Sequence, residues 1–165
     1  MKSLVCVALF GLLGALFGQS ASKSTSEPKF SELSDAERER LNRQRAVVAA
    51  VAKEKYGIAL TRTTSDLPIL QKLLDDQVFK KAQTYELQSL GVAFGDVLTS
   101  ELPLRWVMIT DRYGTDPTLR FKSKEVNVNV LTMISKRIEK DEAINLLELL
   151  RMTREQLSAV REKSR

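Results

Sequence analysis

The hydrophobic period of this chain changes twice, and those two changes limit the folds open to it. Up to Pro103 apolar side chains recur at helical spacing; from Leu104 to Thr110 (LRWVMIT) they occupy both faces of a run dense in β-formers; from Leu131 helical spacing returns. A run that is apolar on both sides suits a strand covered on both sides. Thr118–Lys122 and Glu125–Val130 read as a second and a third strand, with Val126, Val128 and Val130 facing one way and Asn127 and Asn129 the other. Connections this short make neighbouring strands antiparallel. The expected class is α+β: a helical N-terminal half, a three-stranded antiparallel sheet, and C-terminal helices packed on it.

Capping chemistry sets the helix limits. Ser34-Asp35-Ala36-Glu37 is a capping box, in which the Ser hydroxyl accepts from the Glu37 N–H and the Glu37 carboxylate reaches back. Asp35, Glu37 and Glu39 crowd that end and Lys53 and Lys55 the other, before Gly57, as the helix dipole and a left-handed stop favour. Leu41, Val48, Val51 and Ala52 form its stripe. Ile58–Thr64 alternates loosely, as a short extended segment would. A second helix begins at Ser65-Asp66-Leu67-Pro68 and carries Leu67, Leu70, Leu74 and Val78. A third spans Thr84 to Glu101 with Leu87, Leu90, Phe94 and Leu98 on one face, and Gly91 and Gly95 beside it permit close packing. After Leu131, Ile134 and Ile138 the spacing breaks near Asp141 and resumes through Ile144, Leu147 and Leu150. Thr153-Arg154-Glu155-Gln156 is a second capping box, which would open a basic terminal helix running to about Lys163.

The N-terminus reads as an address. Lys2, an uncharged apolar run of 14 residues from Leu4 to Phe17, and then Gly18-Gln19-Ser20-Ala21 have the order of a secretory signal peptide, cut after Ser20 or after Ser22. The run is short for a membrane span, which needs about 20 apolar residues, so an uncleaved anchor is the weaker alternative. Cleavage leaves no integral membrane segment. The expected organisation is a signal peptide at 1–20, a flexible Ser/Lys-rich leader at 21–33 and one domain at 34–165, exported to a periplasm or secreted.

Export bears on chemistry. Cys6, the only cysteine, leaves with the signal, and the chain has no histidine. The mature chain therefore lacks the side chains most used as nucleophile, as general base near neutral pH, or as soft-metal ligand, and no cofactor or metal motif is present. The mature charge, 25 basic against 21 acidic side chains, is a mild excess. Nucleic acid is not an expected partner, because its binders concentrate basic charge on one face.

Trp106, Asp111, Tyr113 and Asp116 mark the exit of the first strand and the following loop, Asp111–Pro117. Strand ends and loops commonly build sites, although Trp106 as core and Asp111 as a turn residue explain the same pattern. Lys136, Arg137 and Glu139 share one helix. Successive residues there point about 100° apart, so Lys136 and Arg137 do not converge on one small target. Arg137, at the edge of the apolar stripe, can reach Asp96 or Asp111, as a structural bridge or as a recogniser of carboxylates.

Leu90-Gly91, Phe94-Gly95-Asp96, Leu104-Arg105-Trp106-Val107, Asp111, Tyr113-Gly114, Asp116-Pro117, Leu119-Arg120 and Lys136-Arg137-Ile138-Glu139 resemble bacterial domain-of-unknown-function family number 3806, over residues 87–142. The resemblance implies a bacterial origin and a helix–strands–helix domain, and no activity. Asp141 stands where the resemblance leads one to expect Gly; there Asp can cap the next helix.

The leading functional expectation is a non-catalytic exported module that binds a protein or an anionic envelope component through the Asp111–Pro117 loop. The alternative is a small carboxylate-based envelope hydrolase; a purely structural domain is the third reading. A hydrolase would need two carboxylates, from among Asp96, Asp111, Asp116 and Glu139, to converge in a cleft. Convergence of Asp96, Asp111 and Glu139 in an open pocket without a basic partner would put that reading first. Against it, Ser123-Lys124 and Ser135-Lys136 are sequence neighbours whose side chains diverge, and the mature chain has only eight aromatics from which to build sugar platforms.

Overall fold

A computed structural model describes residues 27–121 and 126–162. The segment expected to be a signal peptide, with Cys6, the first part of the expected leader, residues 122–125 between two strands, and the end of the chain from 163 lie outside the described residues.

Chain order is β1 (Lys29–Ser31), α1 (Asp35–Tyr56), a 3-10 turn (Thr64–Asp66), α2 (Leu67–Asp75), α3 (Thr84–Glu101), β2 (Leu104–Asp111), β3 (Gly114–Phe121), β4 (Asn127–Val128), α4 (Val130–Glu139) and α5 (Leu146–Glu162). The class is α+β with an antiparallel sheet in the order β1-β2-β3-β4. The sheet has four described strands where the pattern led us to expect three. The extra strand, β1, falls in the segment expected to be a flexible leader, where Lys29, Phe30 and Ser31 pair with Thr110, Ile109 and Met108. Three residues are too few to show a period, and only the open edge of β2 makes them a strand.

α3 is the centre of the molecule. From Leu87 to Leu98 every position except Gln88 is buried. A helix covered on all sides must be apolar or small nearly all round, and this one is except at Asp96, whose charge is paired. A Cβ on Gly91 would lie 2.4 Å from the Val130 carbonyl oxygen, and one on Gly95 would lie 2.6 Å from the Trp106 ring. The two glycines thus let α4 and the indole of β2 approach the α3 backbone.

α1 buries Leu41, Gln44, Val48 and Ala52 along one stripe. The Glu37 N–H donates to Ser34 Oγ at 3.2 Å, so the first half of the capping box forms. The second half does not: Glu37 Oε2 has no hydrogen-bond partner and lies 3.9 Å from Arg40 Nη1. Gly57, at φ +69°, ends the helix as expected. The next segment is not extended. Arg62 is left-handed at φ +61°, and the buried Asp66 carboxylate accepts the N–H groups of Thr61 and Arg62, folding the segment over the start of α2.

Two expectations for the C-terminal region are corrected. Asp141 does not cap the last helix; it stands at φ +58° just past α4, a left-handed position that Gly fills most readily and Asp tolerates. Nor does the Thr153 box open a helix. α5 starts earlier, with Asn145 Oδ1 accepting from the Glu148 N–H at 2.9 Å, and runs unbroken through Thr153. Leu146, Leu149, Leu150, Thr153 and Leu157 form one buried stripe, and the Thr153 hydroxyl donates back to the Leu149 carbonyl at 2.7 Å. Gln71 on α2 seats this helix, accepting from the Leu146 N–H and donating to the Ile144 carbonyl, both at 2.9 Å.

Candidate functional site

The loop expected over Asp111–Pro117 is shorter than that. β2 and β3 pair as far as Asp111 opposite Gly114, leaving Arg112 and Tyr113 as the two-residue tip, so Asp116 and Pro117 belong to β3. Asp111 Oδ1 accepts the Tyr113 N–H at 2.7 Å, and Gly114 takes φ +134°, a conformation that other residues rarely adopt. Asp116-Pro117, within the expected loop, instead lies on a strand edge. Pro117 has no N–H to give β2, so its nitrogen faces the outer edge of β3, which β4 pairs only at Leu119 and Arg120.

This hairpin end, α3 and α4 enclose a cleft of about 260 Å³ floored by Ile109, Pro117 and Leu131. Four of the expected site residues line it together: Asp111, Tyr113, Asp116 and Lys136. Gln88, Asn129 and Thr132 complete its polar lining and were not anticipated. Only Asn129 had a sequence signal, its alternation with Asn127; Gln88 and Thr132 look like ordinary helix-surface residues until the hairpin closes over them. Asp116 Oδ1 is 3.9 Å from Arg40 Nη2 on α1. At the tip, Tyr113 is 79% exposed, with the Arg112 guanidinium over its ring at 4.6 Å and Arg112 Nη2 donating to its hydroxyl.

The other three expected site residues lie elsewhere. Trp106 has the opposite parity to Ile109 and Asp111 on β2 and so projects from the opposite face, onto Gly95 of α3. Arg137 reaches neither Asp96 nor Asp111; its Nη1 donates to the Met133 carbonyl of its own helix at 2.7 Å. Glu139 is exposed at the end of α4, outside the cleft lining.

A structural bridge at Asp96 does exist, with a different cation. Arg45 of α1 makes a two-pronged pair to the Asp96 carboxylate, Nε–Oδ2 at 2.6 Å and Nη2–Oδ1 at 2.8 Å, and Trp106 Nε1 donates to Oδ1 at 3.1 Å. One carboxylate on α3 therefore ties down α1 and β2. Asp96, Asp111 and Glu139 stand in three separate places, and Asp96 holds a basic partner, so these three do not converge. Asp111 and Asp116 do share the cleft, but alongside Lys136. Among the described residues no group of three or more carboxylates is placed to hold a metal ion. What the cleft offers is two carboxylates, an ammonium group and a phenol around an apolar floor, a set suited to gripping a polar side chain.

The sequence profile of a domain of unknown function, DUF3806, matches residues 66–149. The chain belongs to this family. The match is wider than the segment that carried the resemblance: on the structure it runs from the buried Asp66 through α2, α3, the three later strands and α4 into the first turn of α5. α1 and β1 stand outside the DUF3806 match, yet α1 supplies Arg45 to its Asp96. No curated protein matches the chain. It superposes on a crystal structure from Bacteroides thetaiotaomicron VPI-5482 with a TM-score of 0.71 at 14% sequence identity, covering 80% of this chain and 49% of that one. The chain thus spans about half the length of that structure, and the likeness is one of fold.

Proposed function

We propose that this DUF3806 domain is a non-catalytic binding module that grips a partner protein with the tip of the β2–β3 hairpin. The observation that carries this reading is Tyr113, 79% exposed at the mouth of a cleft lined by Asp111, Asp116 and Lys136. Tyr and Arg are the side chains that most often dominate binding at protein interfaces, and here Arg112 and Tyr113 stand together on a rigid two-strand support. The surrounding charges suit a polar rim that fixes orientation.

We also propose that residues 1–20 direct export, so that the partner is an envelope or secreted protein. Among the described residues no helix is long and apolar enough to cross a membrane.

Crosslinking in the native host tests the reading. Tyr113→Ala and Asp116→Ala are expected to lose specific crosslinked partners while keeping the wild-type melting temperature; partner profiles identical to wild type would sink the hairpin reading. For export, the N-terminal residue of the protein recovered from the envelope should be Ala21 or Lys23, and a cytosolic chain that retains Met1 overturns it.

A further inference from the structure

A second cavity lies away from the hairpin, between the α2–α3 connection and the α4–α5 connection. It measures about 500 Å³, and its wall includes Leu73, Phe79, Leu87, Leu90 and Ile138. That volume is in the range of small-molecule pockets, which are typically apolar with a few polar groups at the mouth. Two of the three non-glycine residues with positive φ line it from opposite connections, Gln77 at +47° and Asp141 at +58°. Each is the left-handed residue that closes a helix end, after α2 and after α4. Lys81 of one connection pairs with Asp141 of the other at 2.9 Å, spanning the mouth.

Gln77 and Lys80 also line an adjoining notch of about 430 Å³, so cavity and notch lie side by side. The notch is cationic. Its one acid, Asp76, is already engaged by the Tyr56 hydroxyl at 2.6 Å and by Lys72 Nζ at 2.8 Å. Lys55 and Lys80, which line the same notch, make no salt bridge among the described residues. Of the acids on the cavity side, Asp141 is held by Lys81 and Asp75 accepts from Gln71 Nε2 at 2.8 Å; Glu142 alone has no partner.

From this chamber, with Leu74, Phe79, Ile138 and Ile144 in its wall and a lysine-lined notch beside it, we infer that the domain binds a free single-chain carboxylate amphiphile, its acyl chain in the cavity and its carboxylate between Lys55 and Lys80. Charge selects the head: Lys55 acts on Asp76 only at a distance, Asp76 is already hydrogen-bonded by Tyr56 and Lys72, and Lys80 makes no salt bridge among the described residues. Volume selects the tail, since the chamber suits one acyl chain rather than two. The site is independent of the hairpin reading, with which it shares no residue.

Titration calorimetry with dodecanoate below its micelle concentration tests the inference. Saturable one-to-one binding is expected, with affinity rising about fourfold per added methylene from octanoate to dodecanoate. The double variant Lys55→Glu/Lys80→Glu, both exposed positions, should weaken dodecanoate binding more than tenfold with its melting curve unchanged. Leu74→Trp, which fills the chamber from a half-buried position, should weaken it comparably. Tyr113→Ala should leave it unchanged, which separates this site from the hairpin. The inference is overturned by absence of saturable binding, by dodecanol binding as tightly as dodecanoate, by full affinity in the lysine variant, or by binding only to vesicles of anionic phospholipid.

Discussion

Asp96 is 6% exposed, and the guanidinium that neutralises it comes from 51 residues away in the chain. Without Arg45 the buried carboxylate keeps the Trp106 N–H and the exposed Arg62 guanidinium at 3.9 Å. A buried charge left wholly alone typically costs about 3–5 kcal/mol, and this one stands toward the lower end of that range. Arg45→Met is therefore expected to lower the denaturation midpoint by an amount of that order, whereas Arg137→Met, which removes only a bond within α4, should cost far less. Equal losses in urea melts would show that the Asp96 tie has been misassigned. Gln44 is the opposite case. It is fully buried in the α1 stripe and neither polar atom of its amide has a hydrogen-bond partner. An unsatisfied buried polar group costs about 1–3 kcal/mol, so Gln44→Met, similar in length and apolar, should raise the melting temperature. An unchanged or lower value would mean that the amide is satisfied after all. Neither residue could be singled out from sequence. Arg45 looks like one more charge on a charged helix, and Gln44 breaks the apolar stripe it occupies.

Among the elements, α1 and α2 are joined through Tyr56, Asp76 and Lys72. Hydrogen bonds from Lys72 and Tyr56 hold the Asp76 carboxyl below its usual range, while Asp76 raises both the Lys72 ammonium and the Tyr56 phenol. A depressed carboxyl contributes stability that is present above its unfolded value, about 3.9, and is lost as pH falls through the lower folded value. The gap in melting temperature between wild type and Asp76→Asn should accordingly be open near neutrality and close in strong acid. A gap independent of pH would count against the ionic tie. At the other end of the chain, the start of α5 shows how a local motif loses to packing. Two caps competed, Asn145 and the Thr153 box, and the buried stripe of Leu146, Leu149 and Leu150 made the earlier one the terminus. Asn145→Ala should cost about 1 kcal/mol, typical of a lost cap. Thr153→Val should be mild, since it leaves no backbone group unpaired. The reverse order in thermal melts would restore the Thr153 cap.

For the molecule as a whole, the centre is α3, with α1, α2, α4 and β2 around it. Its Leu87–Leu98 amides should be among the slowest to exchange and should track global unfolding, while those of β1, three residues on an open edge, exchange early. Hydrogen exchange that protected β1 as well as α3 would refute that ranking.

The helical character of α1 to α5 and the strand character of β2 to β4, the stop at Gly57, the limits of α3 and the α+β class were legible before any coordinate, because each rests on spacing and caps within a few residues. So was much of the candidate cleft: Asp111, Tyr113, Asp116 and Lys136 were singled out from strand-exit and helix positions, and all four line it. Tertiary contact decided the rest. Which cation meets Asp96, that all faces of α3 are covered, that residues 29–31 become a strand, and that Gln88 and Thr132 join the cleft depend on partners distant in the chain. Local pattern records a residue's own preference for burial or charge. It does not record which distant group will satisfy that preference, because the pairing is set by how whole elements pack.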